Sequence, residues 1–278
     1  MNTATAMNGL FEAAKTYPDF DAQERLKRLV GLDEHKDRLT KMLSLLVNPQ
    51  GLKQWVDRHH SGADQLVSMI LRRPPLVVLA GDVGSGKSEL AETIGDAVAR
   101  QEDIDITLLP LSLSSRGQGR VGEMTQLISS AFEYTANEAL KLKSANGASR
   151  GGVILLVDEA DALAQSREAA QMHHEDKAGV NAFIRGIDWI ANGQLPAAVI
   201  MCTNRLNALD PAIQRRAANI LTFHRPDTEQ RFLVLNTPLS QLGFSQPQIN
   251  SVVGATGPCG DRKYGFTFSD LTQRLIPA

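Results

Sequence analysis

The sequence has few cysteines, few aromatic residues and no excess of charge of either sign. Two cysteines in 278 residues, Cys202 and Cys259, are too few for a disulfide framework and favour a reducing cytoplasm. The formal net charge of -2 gives no basic footprint for nucleic acid. No apolar run is long enough to span a membrane, and the N-terminus lacks a secretory signal. We therefore expect a cytoplasmic protein that binds neither nucleic acid nor membrane directly.

The sequence does contain short apolar runs that alternate with longer helical stretches. The runs occupy residues 76–80, 106–111, 153–157, 198–202 and 219–223. Because strands buried on both faces read as continuous apolar runs, this pattern predicts an α/β fold with a parallel sheet and helices on both faces. The strands stop after Pro226, which predicts a small helical appendage. We expect an N-terminal extension over 1–28, a large α/β domain over 29–225 and this helical appendage, here named the lid, over 226–278.

The segment GDVGSGKS at 81–88 fits the pattern G-x-x-x-x-G-K-[ST] and lies between a predicted strand and a predicted helix. Glycines let backbone N–H groups turn towards phosphate oxygens, and the helix N-terminus adds its positive dipole end. Lys87 is placed to reach the terminal phosphates, and Ser88 to ligate Mg²⁺. The predicted nucleotide contacts are Gly81, Asp82, Val83, Gly84, Ser85, Gly86, Lys87, Ser88 and Glu89.

Two further apolar runs end in polar residues. VILLV is followed by Asp158 and Glu159, and VIMC is followed by Thr203 and Asn204. Ligands of open parallel sheets bind at the carboxyl ends of the strands. We expect Asp158 to hold Mg²⁺, Glu159 to deprotonate an attacking water, and Asn204 to bind the γ-phosphate or that water. The simpler alternatives are that the two acids cap the following helix and that Asn204 caps a turn.

Together these motifs resemble the AAA+ ATPases, and within them the AAA clade, over nearly the whole chain. VGLDEHKDRL at 30–39 resembles the segment that lies along the adenine, which implies a contact from Gly31. GFTFSDL at 265–271 resembles the G-F-S-G-A-D-L that opens the lid helix, which implies contacts from Ser269 and Asp270. The resemblance implies ATP and Mg²⁺ as ligands. It also implies a short or truncated lid, because the chain ends soon after that helix begins.

The segment LDPAIQRRA at 209–217 carries two adjacent arginines, Arg215 and Arg216. Guanidinium groups side by side bind anions well, although a solvated pair at a helix end is the ordinary alternative. In the AAA clade such a pair projects into the neighbouring subunit's site. The resemblance therefore implies that Arg215 and Arg216 are catalytic in a closed ring, usually a homo-hexamer.

The segment GQGRVGEMTQL at 117–127 takes the place of the family's central pore loop. The resemblance implies that Gly119, Arg120 and Val121 grip a protein chain. Arg120 replaces the usual aromatic residue, so the grip is expected to be less hydrophobic. A surface loop without this role is the alternative.

At a finer level, the chain resembles the bacterial pachytene-checkpoint-type remodellers of HORMA-domain proteins. VDEADAL, the VNAFIRGID helix and the small size carry this resemblance. It implies remodelling of a HORMA-domain protein bound to a nucleotidyltransferase in antiviral defense. A generic unfoldase or activase, and an ATP-dependent assembly switch that threads nothing, remain open.

Overall fold

The computed structural model describes residues 10–60, 62–113, 123–143, 149–163, 174–205 and 209–278. Six strands form one sheet in the spatial order β1-β3-β4-β5-β2-β6. Their bounds are β1 Lys15–Tyr17, β2 Leu76–Gly81, β3 Asp105–Ser112, β4 Gly151–Asp158, β5 Ala197–Thr203 and β6 Ala217–Phe223. All pairings are parallel except that of β1, which joins β3 antiparallel at one edge.

The central strands are buried on both faces, which explains their continuous apolar sequences. Every residue of β5 is buried, and β2 and β4 are buried except at their last residues. Alternate side chains enter two hydrophobic clusters, so that Leu155 packs on one face of the sheet and Ile154 on the other. The predicted α/β fold with a mostly parallel sheet is confirmed.

Helices cover both faces of this sheet. They are α1 Phe20–Arg28, α2 Asp33–Val47, α3 Pro49–His59, α4 Asp64–Leu71, α5 Lys87–Glu102, α6 Glu123–Leu142, α7 His174–Gly193, α8 Pro211–Gln214, α9 Thr228–Gln241 and α10 Gln246–Ala255. A 3₁₀ turn at Ala160–Ala162 follows β4, and a π-helix at Asp270–Leu275 ends the chain. Among the described residues, no helix is both long and apolar enough to cross a membrane.

The described part of the predicted N-terminal extension packs onto the large domain. Phe11 lies in the hydrophobic cluster on one face of the sheet, and Tyr17 lies in the cluster on the other. Asp19 caps α1 by accepting a hydrogen bond from the Ala22 N–H at 2.8 Å, while its own N–H donates to Asp96 of α5 at 2.8 Å. Residues from Phe11 onwards therefore share the core of the sheet.

The lid has a small hydrophobic core of its own. Leu235 of α9, Ile249 of α10 and Leu271 of the π-helix are fully buried against one another. Capping boxes begin both α-helices: Asp227 pairs with Gln230, and Ser245 with Gln248. Each box satisfies backbone N–H groups that a helix start leaves without partners. The lid thus follows the sheet as the predicted helical unit.

Candidate functional site

A cleft of about 670 Å³ lies between the carboxyl ends of β2, β4 and β5 and the lid. These three strands are neighbours in the sheet, so their final residues meet at one edge. The cleft is lined by Arg25, Arg28, Leu29, Val30, Leu32, Val83, Gly84, Ser85, Gly86, Lys87, Ser88, Glu89, Asp158, Glu159, Cys202, Thr203, Asn204, Val234, Phe268, Ser269, Thr272 and Gln273. It therefore joins apolar side chains at the lid to a polar floor at the sheet.

The glycine-rich loop between β2 and α5 has a backbone that side chains would disrupt. Gly81 has φ +144°, and a Cβ there would lie 1.9 Å from the Phe223 carbonyl oxygen. Gly84 has φ +70°, and a Cβ there would lie 2.8 Å from the Thr267 hydroxyl oxygen of the lid. Glycine is required at both positions, because the loop turns tightly beside β6 and also touches the lid. This geometry agrees with the predicted phosphate cradle.

Lys87 begins α5, and its ammonium lies over this loop. Its Nζ donates to the carbonyl oxygens of Gly81 at 3.0 Å and Asp82 at 2.6 Å. Burial lowers the pKa of Lys87 below its usual value, while the nearby carboxylate of Asp158 opposes that shift. A cation held at the N-terminus of a helix is suited to phosphate binding.

Asp158 and Glu159 follow one another at the end of β4, and both line the cleft. The Glu159 N–H donates to Asp158 Oδ1 at 2.8 Å, and Ser112 Oγ donates to Glu159 Oε2 at 3.4 Å. Glu159 has φ +52°, which is uncommon for a residue with a side chain and often marks a functional site. The two carboxylates therefore lie at the cleft as predicted, and Ser88 lines the same cleft.

The structure adds Asp161, which our sequence reasoning did not select. Its Oδ1 accepts hydrogen bonds from Thr203 Oγ1 at 2.8 Å and the Asn204 N–H at 2.7 Å; its Oδ2 accepts from Asn204 Nδ2 at 3.3 Å. Burial raises the pKa of Asp161, but these hydrogen bonds outweigh burial and hold it below its usual value. Asp161 thereby fixes the side chain of Asn204. In the sequence, only the acidic residues of VDEAD at 157–161 point to a role for Asp161.

Helix α1 also contributes residues that the sequence did not single out. Arg25 makes a bidentate ion pair with Glu89, at 2.8 and 2.9 Å, and reaches Glu92 at 3.2 Å. The hydrogen bond to Glu89 raises the pKa of Arg25. Arg28 lies one turn later on the same helix and also lines the cleft. The signal available in the sequence is the three-residue spacing of the two arginines in ERLKR at 24–28, which places them on one face of a helix.

The lid meets the loop through the segment that precedes the π-helix. The Ser269 N–H donates to the Gly84 carbonyl oxygen at 3.1 Å, and Ser269 lines the cleft. Asp270 does not line it: its Oδ2 accepts from Thr267, and its Oδ1 accepts from Arg274 at 3.1 Å. Hydrogen bonding to Thr267 lowers the pKa of Asp270. Asp270 thus begins the last helix instead of forming the cleft wall.

Three other predicted nucleotide contacts lie at the margin of the cleft. The Gly31 carbonyl oxygen accepts from Gln230 Nε2 at 2.8 Å, which ties the segment before α2 to the lid. Gly81 and Asp82 form the base of the loop beneath Lys87 and do not line the cleft itself. The structure therefore brings most predicted contacts together, with Gly31 in a supporting position.

The adjacent arginines follow α8 and face different surroundings. Arg216 makes a bidentate ion pair with Asp188 of α7, at 2.7 and 2.9 Å. This pairing raises the pKa of Arg216. Arg215 is exposed, and its guanidinium has no hydrogen-bond or ion-pair partner in the described parts of the chain. Neither arginine lines the cleft of its own chain.

The predicted pore loop, Gly119, Arg120 and Val121, lies outside the described residues. The helix that follows it, α6, begins at Glu123.

The fold and site are those of a P-loop nucleoside triphosphatase. They combine a mostly parallel sheet, a glycine-rich loop that leads into a helix beginning with lysine, and a carboxylate at the end of another strand of the same sheet. The family model described as the ATPase family associated with various cellular activities (AAA) matches residues 77–225. The chain belongs to this AAA family of ATPases.

Individual relatives make the comparison finer. CD-NTase-associated protein 6 of Escherichia coli (strain MS 115-1) is 67% identical over 278 residues, which are 100% of this chain and 89% of that protein. A solved chain of the E. coli MS115-1 HORMA:CdnC:Trip13 complex has 67% identity and a TM-score of 0.89, with 98% of this chain and 88% of that chain covered. The solved Rhizobiales Trip13 has 60% identity and a TM-score of 0.73, with 96% and 89% covered.

Proposed function

We propose that this ATPase forms a closed ring, a homo-hexamer, in the cytoplasm and uses ATP hydrolysis to remodel a HORMA-domain protein. The HORMA-domain protein is bound to a nucleotidyltransferase, and its remodelling restrains an anti-phage signalling enzyme. The proposal is supported by the 67% identity to a chain of the HORMA:CdnC:Trip13 complex. That identity extends over nearly the whole chain.

The observation that carries the ring is the position of Arg215. Lys87, Glu159 and Asn204 share one cleft, whereas Arg215 is exposed and lies outside it. An arginine that stabilises the transferring phosphoryl group must come close to it. A second copy, joined head to tail, supplies that arginine to the cleft, and repetition of this contact closes a ring. Arg216, paired with Asp188, holds the end of α8 beside it.

Within the cleft the remaining residues have separate roles in this proposal. The loop N–H groups and Lys87 bind the phosphates. Glu159 accepts the proton of the attacking water, and Asn204 orients that water or the γ-phosphate. Asp161 keeps Asn204 in place through the hydrogen bonds described above.

The donors at the cleft fit a magnesium ion. Ser88 offers a hydroxyl and Asp158 a carboxylate, both residues line the cleft, and Mg²⁺ prefers such hard oxygen ligands. When bound, the ion neutralises the charge that develops on the phosphate oxygens. Asp158 itself is held by the Glu159 N–H, which leaves its second carboxylate oxygen for this purpose.

Movement of the partner is assigned in this proposal to Gly119, Arg120 and Val121. They lead into α6, which packs against α7 and the sheet. Changes at the cleft therefore have a packed route as far as α6, because β4 carries both Asp158 and contacts to α6.

The test is a reconstitution with a HORMA-domain protein and its nucleotidyltransferase from the same host. With ATP, the wild-type ATPase should dissociate the complex, and Glu159→Gln should bind ATP without doing so. Replacing Arg120 and Val121 with alanine should abolish dissociation and spare basal hydrolysis. A generic unfoldase would leave this complex intact and act on another protein. If dissociation persists in the double alanine variant, the chain is an assembly switch that threads nothing.

A further inference from the structure

Helix α1 is fastened to the phosphate-loop helix by charged side chains. Arg25 binds Glu89 and Glu92 on α5, and Lys15 reaches the same Glu92 at 2.6 Å. The Tyr17 hydroxyl donates to the Glu92 carbonyl oxygen, which adds a contact from β1. Bidentate arginine–carboxylate pairs fix orientation as well as distance. The position of α1 relative to the loop is therefore set by several contacts.

Arg28 is displayed towards the cleft by this arrangement. It lies three residues after Arg25, and residues at this spacing share one face of a helix. Both side chains line the cleft, whereas Lys27, on another face, pairs with Glu24 at 2.8 Å. Arg28 is exposed and makes no hydrogen bond or ion pair with any residue that the structure describes.

The charges around Arg28 favour an anion. Glu89 is the acidic residue of this part of the cleft wall, and Arg25 already neutralises it. The carboxylate of Glu24, one turn earlier, also interacts with the charge of Arg28, but it is hydrogen-bonded to Lys27 at 2.8 Å. The Arg28 guanidinium is therefore in no ion pair with the described residues and lies at the cleft. A guanidinium group binds phosphate oxygens with two parallel N–H donors, a geometry that lysine lacks.

We propose that Arg28 binds a phosphate group of the nucleotide in its own chain, and that Arg25 is the positioning residue that holds α1 for this contact. The N-terminal segment is then a working part of the ATP site. The inference rests on nucleotide binding at this cleft and is independent of the protein partner. It adds a contact from the same chain to the one that Arg215 makes across the ring.

The test measures equilibrium binding of a fluorescent ATP analogue to Arg28→Gln, Arg28→Lys and Lys27→Gln, all in a Glu159→Gln background that prevents hydrolysis. Loss of a charge-assisted hydrogen bond should raise the Kd of Arg28→Gln by about 10-fold. Arg28→Lys should retain part of the affinity because the charge remains. Lys27→Gln, matched in charge and helix, should stay within about twofold of the parent.

The outcomes separate this inference from the assignment of the ATP site. If the parent binds the analogue and Arg28→Gln binds as well as Lys27→Gln, the role of Arg28 is wrong and the ATP site stands. If Arg28→Lys binds as tightly as the parent, a bidentate guanidinium contact is wrong, because charge alone is then sufficient. If the parent itself fails to bind and Lys87→Ala is no worse, the ATP site is wrong. Thermal melts confirm that each variant is folded.

Discussion

The nucleotide cleft and the arginine pair differ in how their side chains are held. In the cleft, predicted side chains have neighbours that set their positions: Asp161 holds Asn204, and Arg25 neutralises Glu89. At the arginine pair, Arg216 is tied to Asp188 while the adjacent Arg215 is exposed. Two residues of the same type, next to each other in sequence, are thus held in different ways.

In the proposed ring, this difference separates side chains that act within one chain from Arg215, which acts on the neighbouring copy. A bidentate pair such as Arg216–Asp188 restricts the end of α8, so the backbone that carries the adjacent Arg215 is held in place. Pre-positioned cations stabilise developing charge because they need no rearrangement during the reaction. We therefore expect Arg215 to matter for turnover, and Arg216 to matter for the geometry of the contact.

The largest effect should come from Arg215→Ala. In the proposed ring this cation reaches the neighbouring cleft, so its removal should lower ATP hydrolysis by about 10³-fold, in line with arginine fingers of related phosphoryl-transfer enzymes. ATP binding to one chain should be nearly unchanged, because Arg215 does not line its own cleft. Steady-state hydrolysis and equilibrium nucleotide binding check both points.

The matched control is Arg58→Ala, which removes an exposed arginine of α3 that does not line the cleft. Its hydrolysis rate should stay within about twofold of wild type. A rate for Arg215→Ala above half that of wild type would mean that the site is complete in one chain.

A smaller effect should follow from Asp161→Asn, on the cleft side of the comparison. The amide cannot accept all three hydrogen bonds from Thr203 and Asn204, so Asn204 loses its fixed orientation. We expect kcat to fall by about 10-fold with little change in KM, because orientation matters more in the transition state than in binding.

Asp105→Asn is the control for this change, since Asp105 is exposed at the start of β3 and does not line the cleft. A rise in KM without a change in kcat would show that Asp161 supports binding only.

The smallest effect should come from Tyr17→Phe, which loosens β1 from α5 without touching either reacting region. Loss of the hydrogen bond to the Glu92 carbonyl should lower the free energy of unfolding by about 1 kcal/mol. Burial, and next the charge of Glu92, raise the pKa of Tyr17 above its usual 10. The folded state therefore favours the neutral phenol, so its stabilisation is full below pH 10 and is lost as pH rises above that value.

Denaturant unfolding at pH 8 and pH 11 checks this prediction. The wild type should lose more stability between the two pH values than Tyr17→Phe does. Equal losses would mean that the phenol of Tyr17 titrates in the folded state as it does in the unfolded chain.

The sequence was sufficient where one local pattern carries the structure. The apolar runs predict the strands because burial on both faces demands them, and GDVGSGKS predicts the loop because its glycines need positive φ. The role of Asp161 could not be predicted this way. It depends on β4 lying next to β5, and strand order arises from the packing of the whole sheet.

Contacts between distant segments were likewise beyond a local pattern. Asp188 and Arg216 are 28 residues apart, and Arg25 and Glu89 are 64 apart. Strand β1 has three residues, which is too short for a periodicity to be recognised. Local patterns therefore predict a separate N-terminal extension, whereas the structure packs residues from Phe11 onwards onto the sheet.

The most direct test of the shared site is a mixing experiment with two inactive variants. Glu159→Gln chains lack the base but keep Arg215, and Arg215→Ala chains lack the finger but keep the base. When the two variants are co-assembled at equal amounts, about a quarter of the contacts in a random ring should join an intact cleft to an intact arginine. Hydrolysis, absent from each variant alone, should then return towards that fraction of the wild-type rate. If the co-assembled rings stay as inactive as the separate variants, Arg215 does not complete the neighbouring cleft and the central claim is contradicted.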